Sequence, residues 1–292
     1  MKTIRLLITF LLLVLIGCGC TQTAGTAQVA TTTLPIYEFT SALCEGTGIT
    51  VTRLVNEEVS CLHDYSLQTR QMRAIEGAEI LVISGGGLEA FLDSALNTTN
   101  PIIDASAAIE LHCSDAHDHH NHDGHNHEKD PHIWLSPDNA KTMVHNICHG
   151  LIDRYPQHEA IFHKNEEVLT EKLNTLQLYG QEQLKDLSCR KLVTFHDGFA
   201  YFAEAFQLSI VKAVEEESGS EASAAELIEI INLVKENQLP AIFTEHNGSV
   251  SAAEIISAET GVKVYQLDMA MAGDSYFDAM YHNIDTLKEA LG

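Results

Sequence analysis

Histidines are concentrated between His112 and His132, a stretch that contains half of the 16 in the chain. Neutral imidazole is the commonest side-chain metal ligand, and His-rich tracts are a compositional sign of metal binding. Seven of these histidines are interspersed with Asp, Asn and Gly and follow no apolar period, which predicts a flexible, solvated loop that binds metal weakly. They are His112, His117, His119, His120, His122, His125 and His127.

His132 has different neighbours. The segment Asp130–Leu135 reads DPHIWL, in which a proline fixes the backbone before the histidine and three large apolar residues follow it. Such a segment is anchored in a core, so we predict that His132 belongs to a fixed metal site.

Three other residues share a structural context with His132. His63 and His196 each follow a predicted strand, and Asp274 lies between the last predicted strand and the last predicted helix. Ligands of open α/β sheets bind at the carboxyl ends of the strands. Three imidazoles and one carboxylate suit Zn(II), and also Mn(II) or Fe(II), in a site with four or five ligands. Taken singly, each histidine has the simpler reading of a loop or capping residue, and Asp274 could cap the last helix.

The elements that must position these residues alternate between strands and helices. This alternation runs through residues 29–137, which include the His-rich loop 112–127, and again through residues 188–292. It predicts βαβ units with parallel sheets. Between them, residues 138–187 have helical periodicity with a break allowed at Pro156. The predicted fold is α/β, with two lobes, each a mainly parallel sheet flanked by helices, joined by a long rigid helix.

The N-terminus has the features of a secretion signal. A basic start precedes the apolar run Leu6–Ile16, which is too short to span a bilayer but suits a signal peptide. The run ends in a box like that of lipoproteins, which predicts removal of residues 1–17, lipidation of Cys18 and a tether over residues 18–28. We therefore expect an extracytoplasmic, membrane-anchored lipoprotein.

Charge and cysteine content limit the partners and the chemistry further. The formal net charge is −24, which argues against nucleic acid and anionic membrane surfaces as partners. An oxidising compartment would permit disulfides among the 7 cysteines, and Cys44 with Cys61 is a plausible pair. No CxxC motif is present.

Several segments, in order along nearly the whole mature chain, resemble the zinc- and manganese-specific solute-binding proteins of ABC transporters (cluster 9). DPHIWLSP, at residues 130–137, is the most specific of them. The others are the strand-to-helix start at Pro35, the turn His63–Tyr65, GGGLE at 85–89, FHDGFAYF at 195–202, IFTE at 242–245 and GDSY at 273–276.

The resemblance implies two lobes joined by a long helix, with one transition metal in the cleft. Its ligands carry over to His63, His132, His196 and Asp274, with water as the alternative to Asp274. A His-rich loop before the second ligand is similar to the zinc-importing branch. The chain departs from the family where Tyr65 is followed by Ser-Leu-Gln instead of Glu-Pro. Glu245 could hydrogen-bond a ligand imidazole or be a solvated strand end.

The resemblance therefore implies a monomeric, extracytoplasmic receptor that binds zinc with high affinity and delivers it to an ABC permease. Manganese or iron uptake is the alternative within the family. A zinc hydrolase with Glu245 as base is less favoured, because no HExxH or GxSxG motif is present. A surface adhesin or metal-storage protein is the third possibility. We expect the protein not to be an enzyme.

Overall fold

A computed structural model describes most of the chain from residue 27 onward. The described residues are 27–57, 62, 65–92, 100–112, 129–215, 222–245 and 250–292. The predicted signal peptide, Cys18, most of the tether, His63 and the six loop histidines after His112 lie outside them.

The first sheet is parallel throughout and has the strand order β2-β1-β3-β4. Its third strand is an apolar run (ILVI) buried along most of its length, as expected where helices or loops cover both faces. The elements of this lobe are β1 (Val29–Thr31), α1 (Leu34–Leu43), β2 (Val51–Arg53), α2 (Thr69–Gly77), β3 (Ile80–Ile83) and β4 (Ile102–Asp104).

The second sheet repeats this plan with the order β6-β5-β7-β8, again parallel throughout. Its elements are β5 (Lys191–His196), α5 (Ala200–Ala205), β6 (Ser209–Glu215), α6 (Ala224–Glu236), β7 (Ala241–Glu245), α7 (Ser251–Thr260), β8 (Lys263–Leu267) and α8 (Tyr276–Leu291). The prediction of two α/β lobes with parallel sheets is confirmed.

Two helices connect the sheets. Helix α3 (Pro137–Arg154) begins at the Ser136 cap, whose hydroxyl accepts a hydrogen bond from the Asn139 amide. A 3-10 turn at Pro156–His158 separates it from α4 (Glu159–Gln183), because a proline lacks the amide that a continuous helix would need. With 25 residues, α4 is about 38 Å long and forms the long helix that links the lobes.

Trp134 joins the two lobes at their interface. It is fully buried, and its indole Nε1 donates a hydrogen bond to the Met269 carbonyl, just after β8, at 2.7 Å. The hydroxyl of Tyr276, also buried, donates to the Trp134 carbonyl at 2.8 Å. The core is therefore continuous from the first lobe into the second.

Some local predictions were wrong. The strand that His196 was expected to follow extends to this residue, so His196 is the last residue of β5 and not a loop residue. After β3, the described residues include a 3-10 turn at Ala90–Leu92. Cys44 is a free, buried thiol, which contradicts its expected pairing with Cys61. Among the described residues, no helix has both the length and the hydropathy that a membrane span requires.

Glu89 is a buried acid at the carboxyl ends of β1 and β3. Its carboxylate accepts hydrogen bonds from the amides of Ser84 and Gly85 and from the Thr32 hydroxyl. Burial outweighs these bonds and raises the pKa of Glu89 from 4.5 to about 7.

This pKa predicts that stability depends on pH. At a pH between the unfolded pKa of 4.5 and the folded pKa of about 7, Glu89 is protonated in the folded protein and ionised in the unfolded chain. The free energy of unfolding therefore falls as pH rises through this range. We expect a loss of up to about 3 kcal/mol between roughly pH 4.5 and pH 7. Urea unfolding of the wild type and of Glu89→Gln at several pH values measures this change in the free energy of unfolding. The same pH profile in both proteins would contradict the assignment.

Candidate metal centre

His132 is held in one tautomer by its own segment. Both its backbone amide and its Nδ1 lie within hydrogen-bond distance of Asp130 Oδ1, at 2.9 and 2.8 Å. Because a carboxylate accepts hydrogen bonds, this contact favours the tautomer with the hydrogen on Nδ1, in which Nε2 is the metal-binding nitrogen. The ring is 1% exposed and packs edge-on against Trp134. The segment therefore holds the ring at a fixed place, with Nε2 positioned as the metal-binding nitrogen.

A carboxylate of the neighbouring strand also lies near Nδ1 of His196, at ion-pair distance. The parallel register pairs Thr194 of β5 with Phe243 of β7, so the last residues of the two strands, His196 and Glu245, lie side by side. Glu245 Oε1 is 3.4 Å from His196 Nδ1, and both side chains are buried. A carboxylate behind Nδ1 favours the tautomer whose Nε2 is free to bind a metal.

The two imidazoles meet between the sheets. His132 Nε2 and His196 Nε2 are 3.2 Å apart, and the rings are nearly perpendicular. Two nitrogens that bind one tetrahedral zinc at 2.0–2.1 Å lie about 3.4 Å apart. The two Nε2 atoms are therefore close to the spacing that two imidazoles adopt when they bind one zinc ion. Ligand sites also favour interfaces between domains, where this pair lies.

Gly198 gives the imidazoles the space they occupy. A Cβ atom at this position would lie 2.7 Å from His196 Cδ2 and 3.0 Å from His132 Nδ1, and 2.7 Å from the Met269 methyl group. Any side chain there would displace one or both rings. The glycine of the FHDGF segment is therefore part of the site.

The other predicted site residues are not all brought together. Asp274 is exposed in the turn before α8, beside Arg53 and Tyr37, and no hydrogen bond or ion pair joins it to the imidazole pair among the described residues. Arg53 instead donates a hydrogen bond to the Gly273 carbonyl at 2.9 Å. His63 lies outside the described residues.

His112, predicted as the first residue of the weak metal loop, is held against α5. Its ring stacks on Tyr201 at 4.2 Å, its Nε2 is 3.1 Å from Glu204 Oε2, and its amide donates to the Tyr201 hydroxyl. The Tyr201 hydroxyl in turn donates to the Asp130 carbonyl. His112 and Asp130, which flank residues 113–128, are thus joined through Tyr201 close to His132.

Sequence reasoning missed two residues of the site. Asp130 was quoted with its motif but given no role, although an aspartate two residues before a ligand histidine can reach that histidine's ring. The sequence did not predict a role for Gly198. The side chains of His132, His196 and Met269 come from distant segments, and only the folded structure shows that they meet at this glycine.

We expect Asp130→Asn to weaken zinc binding by about 10-fold, because a neutral amide makes the imidazole a poorer donor to the metal. Competition titration against a zinc chelator measures the change. Asp153→Asn, an exposed aspartate of α3, is the matched control and should bind as the wild type does. Equal affinity of both variants would show that Asp130 does not tune His132.

The chain belongs to the family described as ZnuA, the periplasmic component A of a zinc-uptake complex, whose model matches residues 29–290. Among its relatives, the zinc-binding lipoprotein AdcA of Streptococcus pneumoniae is 31% identical over 99% of this chain. This chain spans 61% of the length of that protein. The high-affinity zinc uptake system protein ZnuA of Bacillus subtilis is 28% identical, over 96% of this chain and 94% of its own.

Solved structures agree with the fold. A crystal structure of ZnuA is similar to this chain with a TM-score of 0.78 and 28% identity, covering 91% of this chain and 100% of its own. Zn(II)-bound AdcA from S. pneumoniae gives 0.75 and 29%, covering 91% of this chain and 58% of its own.

Proposed function

We propose that this protein is an extracytoplasmic receptor that binds one zinc ion reversibly between its lobes and delivers it to an ABC permease. The observation that carries the proposal is the 3.2 Å approach of His132 Nε2 and His196 Nε2, each ring backed by a carboxylate. Both relatives described above are named for zinc, and the family is named for zinc uptake.

We propose His63 and Asp274 as the remaining ligands, with water as the alternative to Asp274. The motif resemblance supports both. For Asp274 to bind, its exposed turn must move towards the imidazoles, so a closed, loaded form would differ from this structure around Gly273. Imidazole-rich coordination favours zinc over manganese, which binds more weakly to the same ligands.

The His-rich loop is proposed to hold further zinc ions weakly near the cleft. Its described ends support this, because His112 and Asp130 are joined by a backbone hydrogen bond of 3.0 Å next to the site. Lipidation at Cys18 would keep the receptor at the membrane that contains the permease, and the lipoprotein relative supports this part of the proposal.

The test of this function is a competition titration of the purified mature chain against chelators of graded affinity. We expect one tight equivalent of zinc and weaker binding of manganese. Complementation of a zinc-uptake mutant by the full-length gene, together with its permease, tests delivery. Zinc binding with no dependence on either His132 or His196 would overturn the assignment.

A variant without the loop distinguishes the zinc ions that the loop binds weakly from the ion that the cleft binds tightly. Replacing residues 114–127 by a short Gly-Ser linker keeps the fixed His112 end and should lower the zinc stoichiometry while preserving one tight equivalent. Isothermal titration of both proteins measures stoichiometry and affinity together. Loss of the tight equivalent would contradict an auxiliary role for the loop.

A further inference from the structure

A second group of metal-binding side chains lies on α3 and α4, and it includes neither imidazole of the cleft. Three of its members, Cys148, His163 and Glu166, each offer a ligand atom, and these atoms all lie within 4.8 Å of one another. Two further histidines, His145 and His149, line the same face of α3. None of these residues belongs to a motif that predicts a site.

Glu166 is the centre of this group. One carboxylate oxygen is 2.8 Å from His145 Nδ1 and the other is 3.2 Å from His163 Nδ1. The sulfur of Cys148 lies within 4.8 Å of a Glu166 carboxylate oxygen, on the buried side. The His149 ring lies 4.3 Å from that of His145 and 6.0 Å from that of His163. Donors from two helices therefore converge on one small volume.

The side chains of this group become more exposed from Cys148 outward. Cys148 is fully buried, the Glu166 side chain is 17% exposed, and those of His145 and His163 are 59% and 46% exposed. An ion could enter from solvent past the two imidazoles and reach the carboxylate and the sulfur behind them. One thiol, one carboxylate and two imidazoles form a donor set that suits a divalent ion of the zinc type.

We propose that α3 and α4 form a second transition-metal site, in which Cys148, His163, Glu166 and His145 bind one zinc ion more weakly than the cleft does. Ligand atoms around a tetrahedral zinc are about 3.4 Å apart. Those of Cys148, His163 and Glu166 lie within 4.8 Å of one another, and His145 joins them through its 2.8 Å contact with Glu166, so the side chains must rotate to close around an ion. The ion would replace the hydrogen bonds to Glu166 that now hold the two helices together.

Binding must release a proton. Burial, with the nearby Glu166 charge, raises the pKa of the Cys148 thiol to about 12. The sulfur therefore enters the coordination shell as thiolate only when Zn²⁺ displaces its hydrogen, which leaves as one H⁺ to solvent. This cost is one physical reason for weaker binding than at the pair of neutral imidazoles in the cleft.

The test uses a chain without the other sites. The background protein carries His132→Ala and His196→Ala, with residues 114–127 replaced by the Gly-Ser linker. Equilibrium dialysis against zinc gives its stoichiometry, and Co(II) substitution reports the ligands, because a thiolate bound to Co(II) gives a charge-transfer band in the near ultraviolet. We expect one equivalent of zinc and a cobalt band that Cys148→Ser abolishes.

Two variants of exposed ligands and one control complete the design. In this background His145→Gln and His163→Gln should each weaken zinc binding at least 10-fold, whereas His282→Gln, an exposed histidine of α8, should leave it unchanged. Circular dichroism checks that each variant is folded. The proposal is overturned if the background binds no zinc, if no cobalt band appears, or if His163→Gln binds as the control does. Each of these results would leave the cleft site unaffected.

Discussion

Replacing His132 or His196 by alanine is expected to reduce zinc affinity by about 10²–10³-fold. Apparent binding free energies of structural zinc are about 10–16 kcal/mol, which amounts to roughly 2.5–4 kcal/mol for each of four ligands. Each replacement should remove both the ligand and the effect of the carboxylate that orients it, because Asp130 would no longer contact His132 and Glu245 would no longer contact His196. The two replacements should therefore have similar effects, although the residues are on different segments.

Chelator competition at fixed pH and ionic strength measures both affinities. His282→Ala removes an exposed histidine of α8 and controls for the simple loss of one imidazole. Thermal unfolding of the zinc-free proteins excludes misfolding as the cause of weak binding. Full affinity in both His132→Ala and His196→Ala would remove the basis of the proposed centre.

Gly198→Ala is expected to lower zinc affinity by up to about 100-fold without removing a ligand, an effect as large as losing a residue that orients one. The new methyl group would lie 2.7 Å from His196 Cδ2 and 3.0 Å from His132 Nδ1. Both rings must then shift, and the 3.2 Å spacing of their Nε2 atoms is lost. The expected signature is weaker binding with unchanged stoichiometry in the titration.

The matched control is Gly150→Ala, whose Cβ would meet the Ile103 side chain at 2.6 Å on the side of α3 that packs against β4. Both changes add one methyl group to a tightly packed place, and overpacking of this kind costs about 1–3 kcal/mol of stability. Only Gly198→Ala should also lower zinc affinity. Equal affinities in the two variants would mean that the rings adapt to the extra methyl.

The fold was accessible from the sequence because apolar strands and amphipathic helices alternate with little ambiguity. The run ILVI of β3 and the four-residue spacing of apolar residues in α3 each determine one type of element. The ends of elements were less certain. His196 was expected in a loop, but the ladder between β5 and β6 continues to that residue.

The candidate site was only partly predictable. His132 and His196 were identified from motifs at strand ends, and the structure brings them together. The position of Glu245 behind His196 depends on β7 lying next to β5, and no local pattern determines which strands are neighbours. The site on α3 and α4 was missed because its residues are spread over two amphipathic helices, where histidine and glutamate are typical of a solvated face.

The hydrogen bonds of the Asp130–Trp134 segment bear on how the ion is released. Three of them connect this segment to the second lobe: Tyr201 to the Asp130 carbonyl, Trp134 to the Met269 carbonyl, and Tyr276 to the Trp134 carbonyl. In any opening of the cleft, His132, which sequence order assigns to the first lobe, should therefore move with His196. Of the proposed ligands, only His63 would then belong to the first lobe, so release of the ion would depend on the withdrawal of that one imidazole.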